Sequence, residues 1–515
     1  MQQRSDGFLR PALQDNLSRT LADANSIFRR RIGPDLTQGR EYGGVVIGSG
    51  PNGLAAAIVL ARAGRSVLVL EAEEQIGGGT RSDELTLPGY THDLCSAVHP
   101  MAVASPFLRT LPLQEHGLDW IDPPLPLAHP LDDGTAAILD HSIENTCETL
   151  GVDGRSYRRL VGPLAKHWNL LENYILGPMG VPKHPLVMAR FGIHALQPAS
   201  RLAVSSFKSE SARALFAGLA GHSVMPLESW GTSAIGLVLA TAGHVKGWPI
   251  PKGGSQKIAD ALASYLRFLG GEIRTGVRVR SVKDLPPSEI ILCDLTPSGL
   301  LQIAGGNLPK SYCNALEKFK HGPGVFKLDW ALSGPIPWSA PQCRRAGTVH
   351  VGGTLSEIAR SERECWSNEI SERPFVLLAQ PSLFDPSRAP AGCHTAWAYC
   401  HVPNGSEVDM TDRIEAQVER FAPGFRELIL ARSKKSPAAL QQSNANLIGG
   451  DITGGANSLS QLFLRPTRRL YETPVRGLFL CSASTPPGGG VHGMCGYHAA
   501  TRALARFASS TSKQS

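Results

Sequence analysis

The residues with the clearest chemistry stand in Gly48-Ser49-Gly50-Pro51-Asn52-Gly53, a Gly-x-Gly-x-x-Gly turn between the apolar run Val45-Val46-Ile47 and an Ala-rich helical pattern. This spacing suits a pyrophosphate. Gly48 permits a tight turn out of a strand, Gly50 lets the backbone approach the phosphates, and Gly53 lets the following helix lie close to the sheet. That helix aims its first amides and the positive end of its dipole at the anion. A second β-type run, Ser66-Val67-Leu68-Val69-Leu70, ends at Glu71, 23 residues beyond Gly48. A carboxylate there holds a ribose diol and repels the extra phosphate of NADP. Strand, turn, helix, strand and acid together predict a dinucleotide site, with FAD and NAD both open on these residues alone.

A second such unit lies far along the chain. Gly477-Leu478-Phe479-Leu480-Cys481 reads as a short buried strand, residues 482–494 as a glycine-rich loop, and 495–507 as a helix. The loop again directs a helix N-terminus at an electron-rich group. His492, inside it, is the candidate proton donor or acceptor, with a hydrogen-bonded loop histidine as the alternative. His92, Asp93 and His99 are candidates for the substrate side, or else cap their loop. Tyr497 is a candidate to close a cavity, and His498 reads as structural. Trp230 and Trp248 either line an apolar tunnel or pack in the core.

Other chemistries find no support. There is no Gly-x-Ser-x-Gly nucleophile turn, no His-Glu-x-x-His and no Cys-x-x-Cys, so no metal site is expected. The ten cysteines are scattered and read as reduced thiols. None lies in Gly77-Gly78-Gly79-Thr80-Arg81-Ser82, which argues against a flavin disulfide reductase.

The elements that must position these residues follow from pattern. A chain of 515 residues exceeds one ordinary core. Residues 41–105 read as strand, helix, strand and loop. Residues 106–244 read as a helical insertion, with helices over 157–174 and 209–221. Residues 256–269 form a helix stopped by Gly270-Gly271, and 272–275, 277–282 and 290–293 return as strands. Further strands are expected over 325–332, 375–380 and 394–401, and a helix over 411–421.

The net charge of +7 carries no single-sign block and no basic–aromatic interleaving, so nucleic acid is not an expected partner. The longest apolar stretch, near residues 231–243, falls short of the ~20 residues a bilayer crossing needs. Residues 1–40 lack the apolar core of a secretory signal, and their seven arginines are mixed with acids, unlike a transit peptide. A cytoplasmic protein is expected. Arg190, Arg201, Lys208 and Arg213 punctuate apolar residues, which leaves peripheral membrane contact open beside a solvated helix face.

The glycine turn, Glu71, Gly77-Gly78, Pro251-x-Gly253-Gly254 and the final Gly477-Leu478-Phe479-Leu480 with Pro487-Gly488-Gly489-Gly490-Val491-His492-Gly493 together resemble the phytoene desaturase-related FAD oxidoreductases. The similar branch is the pyridine nucleotide-disulphide oxidoreductase domain-containing protein 2-like group, which lacks the disulphide. The resemblance implies an α/β fold: a Rossmann-like, amine-oxidase-like FAD domain from residues 41–105, 245–300 and 444–515, and an inserted α+β substrate domain from 106–244 and 301–443, after an N-terminal arm over 1–40. It implies that Gly48, Gly50 and Gly53 hold the pyrophosphate and Glu71 the adenosine ribose. Gly78 and Arg81 would follow the phosphates and ribityl chain, and Val279 would meet the adenine through its backbone. Gly493 and Met494 would present amides to the flavin ring. Pro51, Asn52, Ala72, Gly79, Thr80 and Ser484 complete the expected FAD set.

Two departures stand out. Ser482-Ala483 replaces the usual Gly-Asp or Gly-Ala, which removes an acidic contact to the ribityl chain. Gly79 stands where the family commonly has Arg. The implied reaction is hydride transfer between FAD and a hydrophobic isoprenoid, carotenoid-like or fatty-acyl substrate, with desaturation foremost. A saturase or isomerase, an amine oxidase and a non-catalytic flavin scaffold remain alternatives, and a homodimer is left open.

Overall fold

The computed structural model describes residues 40–511. The arm expected over 1–40 therefore lies, apart from Arg40, outside the described residues. Twelve strands form two main sheets: β1 (Tyr42–Ile47), β2 (Val67–Leu70), β3 (Leu125–Pro130), β4 (Ala136–Leu139), β5 (Glu272–Arg274), β6 (Ser288–Cys293), β7 (Gly324–Leu332), β8 (Ala346–Val351), β9 (Val376–Ala379), β10 (His394–Val402), β11 (Ile429–Lys435) and β12 (Leu478–Leu480). The helices used below are α1 (Pro51–Arg62), α2 (Gly154–Lys166), α3 (Trp168–Ile175), α4 (Pro185–Ala195), α5 (Ala199–Ser206), α6 (Glu210–Gly221), α7 (Thr232–Lys246), α8 (Gln256–Phe268), α9 (Leu355–Trp366), α10 (Thr411–Phe421) and α11 (Met494–Thr511).

The first sheet is parallel, in the order β12-β6-β1-β2-β5. Its strands are short apolar runs because both faces are covered. On one side lie α1, α8 and α11, contributing Leu54, Ala57, Ile258, Leu262, Ala499 and Ala503 to one core. On the other, Leu300, Tyr312 and Leu316 pack against Val45, Leu68 and Leu480. The register aligns the carboxyl ends of four strands: Ile47 faces Leu70 and Cys293, and Cys293 faces Leu480. In an open parallel sheet that edge is where ligands bind.

The second sheet is mixed, in the order β11-β7-β10-β9-β8-β3-β4. Its strands are antiparallel except for the β8–β3 pair. α6 and α7 cover the side that faces the first sheet, with Phe216, Leu237 and Leu377 in one core. α10 covers the other side.

Several expected elements differ. The stretch over 277–282 is not a strand: Gly276 turns the chain (φ +69°), and the amides of Gly276 and Val277 bond back to the Glu73 and Glu71 carbonyls. The insertion 106–244 is not wholly helical. Its prolines hid β3, which pairs with β4 across the Asp132-Asp133-Gly134 turn and joins the second sheet. The helix expected over 157–174 divides into α2 and α3 at His167, which leaves the helical region (φ −111°, ψ 21°). β8, β11 and α9 add elements that pattern alone did not reveal. All ten cysteines are free.

Candidate active site

One cavity of about 710 Å³ begins at the aligned strand ends and runs to the second sheet. Of the residues anticipated from sequence, Gly48, Gly50, Pro51, Asn52, Glu71, Ala72, Gly78, Gly79, Thr80, Arg81, Val279, Ser484 and His492 line it. Gly53, Gly493 and Met494 do not.

The glycine turn is built against Asp294, at the end of β6. Gly48 has φ +100°, and a Cβ on it would lie 3.1 Å from the Asp294 Cβ. A Cβ on Gly53 would lie 2.1 Å from the Gly48 carbonyl oxygen, so no other residue lets α1 leave the strand at this angle. The Gly53 amide donates to Asp294 Oδ2 at 3.0 Å. Gly53 thus shapes the turn but spends its amide on a carboxylate, which corrects its expected part in holding phosphate. Burial pushes the Asp294 carboxyl up to about 7; the Glu71 charge adds to the rise and the Gly53 amide opposes it.

Glu71 is buried at the end of β2. One oxygen accepts from the Ser49 amide (2.8 Å) and hydroxyl (2.6 Å), the other from the Glu73 amide (3.0 Å). Three contacts thus fix its rotamer at the cavity wall. The Asn52 side-chain oxygen is buried there without a partner. α1 starts at Gly50 with no side-chain cap and Pro51 in its first turn, an arrangement that leaves backbone amides for a ligand. A cradle of glycine backbone, an open helix start and a carboxylate placed for a diol together fit a dinucleotide.

Arg81 bridges the two lobes, donating through Nε to the Gly78 carbonyl (3.1 Å) and through Nη2 to the Ser443 carbonyl (2.5 Å). Thr80 and Ser484 spend their hydroxyls on the Gly77 and Gly454 carbonyls (both 2.8 Å). Val279 reaches the cavity because its segment crosses the sheet end instead of extending β5.

The C-terminal loop differs from expectation. His492 Nδ1 accepts from the Met494 amide at 3.0 Å, so the histidine caps α11. Burial pushes it down to about 4, which keeps the ring neutral. The hydrogen-bonded loop histidine is thus the arrangement observed, with the neutral ring at the cavity wall. Gly493 and Met494 do not line the cavity: a Cβ on Gly493 would lie 3.0 Å from the Ala55 Cβ of α1, and the Met494 amide is already used. The loop backbone at the cavity is instead Gly489 to His492.

The other histidines separate. His99 lines the cavity, with Nε2 2.8 Å from Ser255 Oγ, and burial pushes it down to about 4. His92 bonds Thr86, and Asp93 is buried against Arg388 (2.7 Å), Ser82 and Ser255; neither reaches the cavity. Tyr497 packs on Phe107 away from the cavity. His498 is held by the Leu176 carbonyl. Trp248 is buried at the cavity wall, whereas Trp230 is 59% exposed and lines no tunnel.

The second sheet supplies residues that sequence reading missed. Lys327 on β7 is buried, ion-paired with Asp329 and 5.8 Å from the Trp397 ring centroid. Trp397 and Tyr399 on β10 form a T-shaped pair at 5.1 Å, and all but Asp329 line the cavity. Asp294 carried a readable signal, since an acid directly after a parallel strand sits at the ligand-binding edge. Lys327 and Trp397 carried none, because only the register of β7 on β10, with Asp329 opposite Trp397, brings them together.

The flavin-containing amine oxidoreductase family profile matches residues 52–298. Pyridine nucleotide-disulfide oxidoreductase domain-containing protein 2 of Mus musculus is 26% identical, over 89% of this chain and 93% of its own. The chain is thus similar to the flavin-containing amine oxidoreductases over its first sheet and to this relative over nearly its whole length. A phytoene desaturase (neurosporene-forming) of Rhodobacter capsulatus is 26% identical over 47% of this chain and 51% of its own. An oxidoreductase structure from Methanosarcina mazei superposes with a TM-score of 0.62 at 16% identity, covering 90% of this chain and all of that one. This flavoprotein therefore takes FAD as its cofactor, in an amine-oxidase-like α/β fold. Among its described residues no helix is long and apolar enough to cross a membrane.

Proposed function

We propose that this oxidoreductase moves a hydride between FAD and an elongated, uncharged, largely apolar substrate, with desaturation of an isoprenoid, carotenoid-like or fatty-acyl chain as the reaction. The observation that carries this reading is the continuity of the cavity. It leaves the glycine turn polar and ends among Val98, Ile235, Val238, Leu239 and Leu377. Bound FAD supplies the hydride acceptor. The protein binds the chain by apolar burial, at ~0.8 kcal/mol per methylene. The same wall excludes water and fixes which carbon is presented. Glu71 and the open start of α1 are proposed to hold the adenosine ribose and pyrophosphate, with Arg81 tying the lobes on either side.

An amine substrate is the second reading. The Trp397–Tyr399 pair favours it, since aromatic faces attract cations. Lys327 already places an ammonium group by Trp397, so an amine would have to enter as its neutral base.

We also propose peripheral membrane contact at 179–196. Val181 (93% exposed), Leu186 (85%) and Ile193 (66%) stand out beside exposed Lys183 and Arg190, and the segment follows directly on Ile175 and Leu176, which line the cavity. Arg201 and Lys208 are exposed nearby in the chain, but Arg213 is held by the Phe207 carbonyl and is not part of the face.

The test is the visible spectrum of the holoprotein under anaerobic conditions. Lipophilic donors are expected to bleach the flavin bands, and NADH and NADPH to leave them. Bleaching by the nicotinamides alone would sink the dehydrogenase reading in favour of a saturase; bleaching by primary amines alone would favour the second reading.

A further inference from the structure

Three histidines stand in line at the apolar end of the cavity. His222, the C-cap of α6, lines it, and its Nε2 lies 2.9 Å from Nε2 of His350 on β8. His129 sits on β3, the parallel neighbour of β8, with Nε2 2.6 Å from the Gly353 carbonyl oxygen. The Nδ1 atoms of His350 and His129 are buried and unpartnered. Both face one point beside Gly218 of α6: a Cβ there would lie 2.7 Å from the first and 3.2 Å from the second.

The hydrogens in this row follow from its fixed end, by assignment through the network. A carbonyl oxygen only accepts, so His129 carries its hydrogen on Nε2 and its Nδ1 is bare. All three rings are neutral. Burial pushes His222 down to about 3, His129 to about 4 and His350 well below the usual range. Two bare Nδ1 atoms facing each other would repel, so His350 carries its hydrogen on Nδ1. Its Nε2 is then bare and accepts from His222, whose hydrogen is on Nε2. The Nδ1 of His222 is therefore a lone-pair acceptor with no protein partner. Thr348 lies two residues from His350, on the same face of β8. It also lines the cavity, and its Oγ1 is buried without a partner.

We propose that this end of the cavity receives a substrate hydroxyl that donates to His222 Nδ1, with Thr348 Oγ1 as the complementary donor. The substrate class is then a long-chain or isoprenoid alcohol, not a plain hydrocarbon. A carboxylate would meet the His222 lone pair, and a cation would meet Lys327. The proposal rests on the reading of the cavity as an apolar substrate site and deepens it: burial supplies affinity, and the hydroxyl sets the register of the chain.

The test is calorimetric titration of the FAD-loaded protein with decan-1-ol and with 1-methoxydecane, which accepts but cannot donate. The alcohol is expected to bind about tenfold tighter, the scale of one neutral hydrogen bond. His222→Gln keeps an amide near the ε position, within reach of His350, but puts no acceptor at the δ position. It is expected to bind both ligands equally. His222→Asn, with its oxygen at the δ position, is expected to keep the preference. Equal binding by the wild type, or a preference that survives in His222→Gln, overturns the hydroxyl site alone. Binding of neither ligand overturns the apolar-substrate reading and the hydroxyl site with it.

Discussion

Asp294 Oδ2 accepts a hydrogen bond from the Gly53 amide at 3.0 Å, and so holds a carboxylate at the start of α1, the helix proposed to face the cofactor's phosphates. Its carboxyl lies at about 7, against 3.8 unperturbed. The folded apoprotein therefore binds an extra proton between about pH 4 and 7, and this group's contribution to stability falls as pH rises through that window. A pyrophosphate brings like charge and raises the carboxyl further, so FAD binding takes up a proton here. FAD affinity is expected to be level below pH 7 and to fall above it. In Asp294→Asn, which keeps an acceptor for Gly53 and has no charge, that fall disappears. Fluorescence titration of apoprotein from pH 6 to 9 checks this, and a wild-type affinity that stays flat would refute it.

Gly53→Ala sets a methyl group 2.1 Å from a backbone oxygen. The turn must open, at a cost of several kcal/mol, on the scale of ~1–3 kcal/mol for overpacking and more where backbone must move. A lower melting temperature and loss of the yellow colour on purification are expected. Retention of full FAD occupancy would show that the turn tolerates widening.

His492 has no titration to offer between pH 5 and 8, because burial holds it down to about 4 and its Nδ1 caps α11. His492→Asn, which can still accept from the Met494 amide, is expected to leave the pH profile of turnover unchanged. His492→Ala is expected to lose ~1 kcal/mol of stability, the scale of a helix cap. A limb of the profile that vanishes in His492→Asn would restore a proton-transfer role.

Lys327 and Asp329 are both buried and paired. Lys327→Met leaves Asp329 unpaired and is expected to cost ~3–5 kcal/mol. Lys327→Met combined with Asp329→Leu is expected to recover most of that stability. Chemical denaturation of the single and double variants separates the terms. If turnover returns together with stability, Lys327 serves the fold and not the reaction.

Leu186→Glu with Ile193→Glu places two charges on the exposed apolar face. Co-sedimentation with anionic phospholipid vesicles is expected to fall severalfold while FAD content is unchanged. Equal sedimentation of wild type and variant would remove that face from consideration.

The cofactor half of the molecule was legible because its chemistry is written in local order: a strand, Gly48 to Gly53, a helix, then Glu71. A parallel sheet keeps such units contiguous. Val279 was placed at the cavity edge by motif, although the strand drawn through it does not form, since Gly276 diverts the backbone to Glu71 and Glu73. Gly493 and Met494 were placed at the cavity by motif, whereas the loop lines it through Gly489 to His492. No pattern in the sequence says that His492 folds back to cap its own helix.

The half built on the second sheet was least legible. His222, His350 and His129 come from a helix end and two strands, 93 to 221 residues apart along the chain. Only the β8–β3 register and the approach of α6 assemble them. The hairpin β3–β4 was hidden by Pro126 and Pro130 of β3, which a propensity reading penalises although this strand is paired on both sides.

β12 is the outer strand of the first sheet, and residues 482–492 behind it complete a wall of the cavity. Synthesis reaches these residues only after the glycine turn, Glu71 and Asp294. A nascent chain stalled near residue 470 has its glycine turn, Glu71 and Asp294, but β6 is an open, unpaired edge and the cavity lacks one side. A closed cavity therefore requires the chain to be made past residue 492, and any chain that stops short of β12 leaves the apolar edge of β6 uncovered.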